Sequence, residues 1–472
     1  MAEIDLLEIA RGTVTAPAGC GKTHLIAEAL KVYDGSKPVL VLTHTNAGVA
    51  ALRGRLNREG VLPSNYRLAT IDGLSMRLIQ LFPTRAGHNP EVLQLGNPGR
   101  DYPAIRQATI NLLSCGHISD VLAASYDRLI VDEYQDCTVD QHKLICHAAE
   151  VFPTCVLGDP LQAIFSFGTN LLPDWDEAVC AAFPLVAELN TPWRWINVNA
   201  EELGEWLLDA RQRLLLGETI DLRSSPKGVK WVALDGENDR KKLVGAAYEQ
   251  PPNEDGHVLI IGSSVNAQSR HQIAGMVRGT VTIEAVDLRD LIKFSRTFSL
   301  NSDRSLKMIA SFVQSLMSGF GATDFLKRVG TVAHGRERRP ATDAEIAALN
   351  YLQSQSYDKA IDLLIEINKI GGVRVYRSAV FRACIKALKL CSVPSGPSFY
   401  EAAQKVREQN RILGRPLPKR AIGSTLLLKG LEADVCVILN AEEHNPNNLY
   451  VAMTRGSRTL VVCSAVSTIN PY

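Results

Sequence analysis

The sequence predicts an α/β fold with two parallel-sheet cores, the first holding a small insertion and the second a helical one. Three observations predict it. Short apolar runs ending in an acidic residue alternate with helical patterns in the first third of the chain, as buried parallel strands and their crossover helices do. A glycine-rich loop, Ala16-Pro17-Ala18-Gly19-Cys20-Gly21-Lys22-Thr23, stands between a β-prone run and a helix former. Strand character then resumes at 231–234 and 257–261, gives way to a helical stretch from about 288 to 409, and returns at 435–439 and 459–463.

The elements follow in order. Residues 12–16 are short and β-prone, and 22–30 form a helix. Residues 39–43 are a buried-strand run, and the next helix carries Val49, Leu52 and Leu56 on one face. From 81 to 125 the chain turns rich in Pro, Gly and Asn and then weakly helical, which reads as an insertion. Residues 128–132 and 155–159 are two further apolar runs that both end in Asp, and functional groups in such sheets sit at strand carboxyl ends. The expected boundaries are 1–80 with 126–189 for the first core and 190–286 with 420–472 for the second. The insertions are 81–125 and 287–419.

Composition narrows the function classes. At about 100–200 residues per domain, 472 residues make two to four domains. Lys and Arg number 51 against 50 Asp and Glu, so a net charge of +1 excludes a histone-like polycation. A nucleic acid would have to be held by a local groove and specific contacts. No run approaches the ~18 apolar residues of a membrane span. Glu3, Asp5 and Glu8 make the N-terminus unlike a signal or transit peptide. The ten cysteines include no C-x-x-C pair, so neither a disulfide framework nor a structural zinc site is expected, and a reducing cytoplasm is.

The glycine-rich loop carries the chemistry. It matches G-x-x-x-x-G-K-[ST] except that Ala16 stands at the first glycine. Gly19 and Gly21 let backbone N–H groups, with those of Ala18 and Cys20, turn toward phosphate oxygens, and the following helix adds its dipole. Lys22 would pair with the β- and γ-phosphates and the Thr23 hydroxyl would ligate Mg²⁺. Phosphoryl transfer to water also needs a carboxylate near the metal and another to orient or deprotonate the water. Asp132 and Glu133, in Ile130-Val131-Asp132-Glu133-Tyr134-Gln135-Asp136, are the candidates for these two roles.

Further motifs stand in order along nearly the whole chain. They are Leu42-Thr43-His44-Thr45-Asn46 with Ala51-Leu52-Arg53-Gly54-Arg55-Leu56, then Thr70-Ile71-Asp72-Gly73, and then Gly158-Asp159-Pro160-Leu161-Gln162-Ala163-Ile164-Phe165-Ser166-Phe167. Leu189-Asn190-Thr191-Pro192-Trp193-Arg194, Val265-Asn266-Ala267-Gln268-Ser269-Arg270, Lys429-Gly430-Leu431-Glu432-Ala433-Asp434 and Leu449-Tyr450-Val451-Ala452-Met453-Thr454-Arg455 complete the set. With the loop and the Asp-Glu segment, they resemble motifs I to VI of superfamily 1 helicases of the UvrD, Rep and PcrA group, whose A-x-A-G-x-G-K-T loop accounts for Ala16.

The resemblance implies two RecA-like P-loop domains that bind ATP and Mg²⁺ and move on single-stranded or tailed duplex DNA, with 3′ to 5′ polarity. It implies that Gln162 senses the γ-phosphate, that Arg194 and Arg455 reach it from the second domain, that Trp193 stacks on adenine and that Glu432 contacts the ribose. Trp193 also reads as a core aromatic. His44, Phe165 and Phe167 fall where that family stacks bases, and each also reads as a packed side chain. Thr45, Asn46 and Thr70 could bond the nucleic-acid backbone or serve as caps and turn formers.

The pattern is departed from in four places. No adenine-reading Gln precedes the loop, no Arg stands before Gly168, Leu426 replaces the usual His, and both insertions are short. Short insertions also resemble the compact UvrD-like partner of a TOPRIM-containing nuclease in bacterial antiviral defence of the Gabija type. That alternative implies a DNA-responsive ATPase with weak or no unwinding.

Overall fold

Arg11–Thr15 (β1), Val39–Thr43 (β2), Tyr66–Thr70 (β3), Leu129–Val131 (β4), Thr154–Gly158 (β5) and Leu185–Glu188 (β6) form a six-stranded sheet in the order β3-β2-β4-β5-β1-β6. The computed structural model describes residues 4–165, 171–285, 287–336, 338–412 and 417–472. Every pairing in this sheet is parallel. Central strands β2, β4 and β5 are buried along their whole length, whereas β6 lies at an edge and is largely exposed. Continuous apolar runs are what a sheet covered on both faces requires.

Alternate residues feed two cores. Leu40, Leu42, Val131 and Val156 pack on one face. Val39, Val41, Ile130, Cys155 and Leu157 pack on the other. Parallel strands need crossovers, supplied here by helices α1 (Lys22–Val32), α2 (Asn46–Arg58) and α3 (Ile71–Leu81). All strand carboxyl ends therefore lie along one edge, where Lys22, Asp132, Glu133 and Gln162 follow β1, β4 and β5.

The first insertion contains Pro98–Ser114, a 17-residue helix despite Pro103 inside it. Its Ile105, Ala108, Leu112 and Leu113 join the core beneath the sheet. Burial of that face overrides the weak helical signal of a Pro-rich stretch. Arg106 forks onto Asp72, with Nε and Nη2 each 2.7 Å from a carboxylate oxygen, and so ties the helix to α3.

A second six-stranded sheet is ordered Val281–Thr282, Arg420–Gly423, Val258–Ile261, Ala433–Ile438, Gly456–Ser464, Val229–Ala233. Arg420–Gly423 and Ala433–Ile438 flank Val258–Ile261 in parallel. The chain leaves this sheet after Thr282 and returns at Arg420. The intervening helices bury a core of their own that includes Leu291, Val313, Tyr351, Leu364, Val380 and Val406. Arg377, 4% exposed, forks onto Glu284 where this body joins the sheet. The α/β class, with a small and a helical insertion, is thus the one the sequence predicts.

The chain divides into two units. The first comprises residues to Val229 with His444–Arg458 and Thr468–Tyr472, and the second Lys230–Glu443 with Thr459–Ser467. Helix Pro446–Met453 thus belongs with the first sheet, where Asn447 Nδ2 donates to the carbonyls of Pro160 (3.1 Å) and Ala163 (3.0 Å). Among the described residues no helix is long and apolar enough to cross a membrane.

Ile130 is fully buried in the shortest central strand. Ile130→Ala should destabilise the first unit by about 2–5 kcal/mol. A fall in its denaturant midpoint checks this; an unchanged midpoint would contradict the packing described.

Candidate active site

The loop after β1 is shaped by its backbone. Ala16 N donates to Gly158 O (2.8 Å), which extends the β1–β5 pairing by one residue, and Cys20 N donates to Pro17 O (3.1 Å). Gly19 and Gly21 have φ of 75° and 90°, the left-handed region that only glycine enters at low cost. Space adds a second reason for glycine. A Cβ on Gly19 would collide with the Trp195 ring at Cζ3, and one on Gly21 would lie 3.1 Å from Trp193 Cδ1. No side chain caps α1, which starts at Lys22. Its first N–H groups and its dipole are therefore directed at the loop's concave side. Ala18 N donates to the hydroxyl of Tyr450 (3.1 Å), a residue 1% exposed. Burial, aided by Asp159, pushes the Cys20 thiol up to about 12, so it stays protonated and unreactive.

Strand order brings the charges together. Lys22 Nζ is 3.3 Å from Asp132 Oδ1 and 2.7 Å from Glu133 Oε1. Burial opposes the Lys22 charge, but the two carboxylates outweigh it and hold the ammonium above its usual range. For Asp132, burial and then the Glu133 charge raise the carboxyl against the pull of Lys22. Glu133 itself has φ of 55°, a left-handed backbone that costs a non-glycine residue about 1–3 kcal/mol and clusters at functional sites. Thr23 lies in the first turn of α1, half-buried. A threonine hydroxyl and an aspartate are hard oxygen donors of the kind Mg²⁺ takes, and the Gly19–Gly21 cradle is of the kind a phosphate takes. The residues present fit both groups.

A buried polar chain leads on from Glu133. Gln135 Nε2 donates to Glu133 Oε2 (2.6 Å), while its Oε1 accepts from Asp159 N (3.1 Å). Asp159 Oδ2 accepts from Gln162 Nε2 (3.0 Å), and Asp159 Oδ1 accepts from Arg211 Nε (3.2 Å) and Nη2 (3.1 Å). Arg211 also reaches Glu188 (2.9 Å). Sequence reasoning missed Arg211. Its signal was a charge in register with Leu203, Leu207, Ala210 and Leu214, the buried face of Glu201–Leu215.

Arg194 and Trp193 open the short helix Trp193–Ile196. Arg194 N donates to Gly19 O (3.1 Å) and Nη1 to Thr454 O (2.6 Å). Arg455, 3% exposed, donates from Nε to Val451 O (2.8 Å) and from Nη2 to Thr454 Oγ1 (2.9 Å). Trp193 is 39% exposed beside Gly21, whereas Trp195 is buried, with Nε1 donating to Gly456 O (3.0 Å). The first unit thus collects the loop, Lys22, Thr23, Asp132, Glu133, Gln162, Trp193, Arg194 and Arg455. Glu432 belongs to the second unit, exposed ahead of Ala433–Ile438.

Residues 7–168 match the family described as an AAA domain. The matched span contains the loop, Asp132, Glu133 and Gln162. No curated protein matches the chain. Among solved structures it is similar to the arterivirus nonstructural protein 10 helicase, in a complex with DNA. Identity is 10% and the TM-score 0.35, over 97% of this chain and 62% of that one. This chain therefore spans less than two thirds of that protein's length, and its fold is read from its own two sheets.

The same edge carries the residues considered for nucleic acid. The His44 and Phe165 rings lie 5.4 Å apart at 55°. Thr45 Oγ1 caps α2 by accepting from Gly48 N (3.0 Å), and Thr70 Oγ1 caps α3 by accepting from Gly73 N (2.9 Å). Both threonines act as caps here, and Asn46 opens α2, exposed. Phe167 lies outside the described residues.

Gly19→Ala combines a left-handed backbone with a ring collision. The backbone alone costs about 1–2 kcal/mol, so affinity for a fluorescent ATP analogue should fall roughly tenfold or more. Unchanged affinity would contradict the cradle.

Proposed function

We propose that this chain is a nucleic-acid-dependent ATPase of the superfamily 1, UvrD-like helicase kind, which hydrolyses ATP while moving 3′ to 5′ along single-stranded DNA in the cytoplasm. One observation carries the reading: the Lys22 ammonium held between Asp132 and Glu133 beside a glycine cradle. The His44–Phe165 ring pair follows β2 and β5, the strands on either side of β4. The working lobes are proposed as 1–80 with 126–189 and 190–286 with 420–472.

Lys22 would exchange its carboxylate partners for the β- and γ-phosphates, a charge-assisted contact available to a buried ammonium that stays protonated. Thr23 and Asp132 would hold Mg²⁺, which supplies charge neutralisation on the phosphates. Glu133 would orient the attacking water and accept its proton. Gln162, fixed by Asp159, would report the γ-phosphate, and Arg194 and Arg455 would stabilise charge on the transferred group. Phe165 follows Gln162 by three positions, so movement of this segment on hydrolysis would reach a base-stacking ring directly. Stacking tolerates any base, which suits a motor with little net charge.

The compact first insertion favours a second reading. Between α3 and β4 it consists of short elements and Pro98–Ser114 packed on the sheet's own core, leaving little body to grip duplex. In that reading the chain is a DNA-responsive ATPase subunit of an antiviral complex with a TOPRIM-containing nuclease, with weak or absent unwinding.

ATP turnover with and without single-stranded DNA tests the first reading. DNA should stimulate the wild-type chain, and Lys22→Ala, Glu133→Gln and Arg455→Ala should each lower turnover by at least about 100-fold. Phe165→Ala should keep basal turnover and lose much of the stimulation. Turnover indifferent to DNA, or to Lys22→Ala, would overturn the proposal. Strand displacement on 3′- and 5′-tailed duplexes separates the two readings, because only the first expects unwinding by the chain alone.

A further inference from the structure

Gln135 joins two loops that lie 24 positions apart, and its carboxamide is used at both ends. Oε1 accepts the Asp159 N–H and Nε2 donates to Glu133 Oε2, on a side chain only 4% exposed. The amide cannot be reversed. A flipped carboxamide would set its NH₂ against the Asp159 N–H and its oxygen against a carboxylate, two mismatches on a side chain this buried. Gly158 makes room for it, since a Cβ there would lie 2.7 Å from Gln135 Oε1.

Glu133 needs such a partner. Its backbone is left-handed, a strained setting that surrounding contacts must hold in place. Lys22 takes Oε1 and Gln135 takes Oε2, so a Lys22 transferred to phosphate would leave Gln135 holding the carboxylate. The other end of the amide is fixed to the residue that also holds Gln162 through Oδ2 and Arg211 through Oδ1.

The geometry points to Gln135 as a positioning residue that aims the Glu133 carboxylate and ties its direction to the Asp159–Gln162 segment. Glu133 is then aligned only while that segment, which also leads to Phe165, is seated. The inference rests on the ATPase reading above and adds the part that links the water-orienting group to the segment sensing phosphate and nucleic acid.

Two substitutions separate the ends of the amide. Gln135→Glu keeps an acceptor for the Asp159 N–H but replaces the donor to Glu133 with a like charge. Gln135→Met keeps the volume and removes both contacts. DNA-stimulated ATPase kinetics and affinity for a fluorescent ATP analogue are measured on the full chain for wild type and both variants. Both variants should lose about 10²-fold or more in kcat, with KM and analogue affinity within about threefold of wild type, as expected when only an interaction of the reacting state is removed. Wild-type kcat in Gln135→Glu would overturn the inference, because the Asp159 contact alone would then suffice. Analogue affinity lost in parallel with kcat in both variants would overturn it too, by showing a general structural role. A wild-type chain that hydrolyses no ATP would instead bring down the ATPase reading, and the inference with it.

Discussion

A lysine ammonium pinned between two carboxylates at the carboxyl edge of a parallel sheet is the constraint on which the rest of this structure depends. Desolvating an ion costs several kcal/mol even after relaxation, and the cost is offset only by close, well-aligned partners. Lys22 has two, and both arrive through strand order rather than sequence proximity. β5 separates β1 from β4, so the loop after β1, the acidic pair after β4 and the Asp159–Gln162 segment after β5 converge without any long excursion.

Local costs accumulate where those loops meet. Glu133 occupies a backbone region that disfavours side chains, two glycines turn left-handed beneath tryptophan rings, and Asp159 and Arg211 are buried charges that satisfy one another. None of these choices favours a generic α/β core. Each is explained by a site that would present a cation, carboxylates and backbone N–H groups within one small volume. Gln135 is the economical link among them, one amide that satisfies a backbone donor and an ionised acceptor on adjoining loops.

Much of this was legible in the sequence because it is local. Apolar runs ending in Asp marked β4 and the segment after β5, and the glycine loop marked the turn between β1 and α1. Other features depend on packing. Arg211 and Trp195 touch the site only once their helices dock, and nothing in their neighbours' identities announces which loop they meet. Tyr450 sits in a recognisable motif, yet its bond to the Ala18 amide spans 432 positions and needs the tertiary fold to exist. The same holds for grouping Pro446–Met453 with the first unit. Thr45 and Thr70 could bond a ligand, but a loop threonine is more often a cap, and their hydroxyls are engaged as caps.

The Lys22–Asp132–Glu133 cluster is proposed to be a phosphate and magnesium site. Calorimetric titration of the wild-type chain with a non-hydrolysable ATP analogue, in Mg²⁺ and then in excess chelator, tests it most directly. Saturable one-to-one binding is expected, weakening sharply without Mg²⁺ and disappearing in Lys22→Ala. Binding of equal strength with and without the metal, or binding that survives Lys22→Ala unchanged, would contradict it.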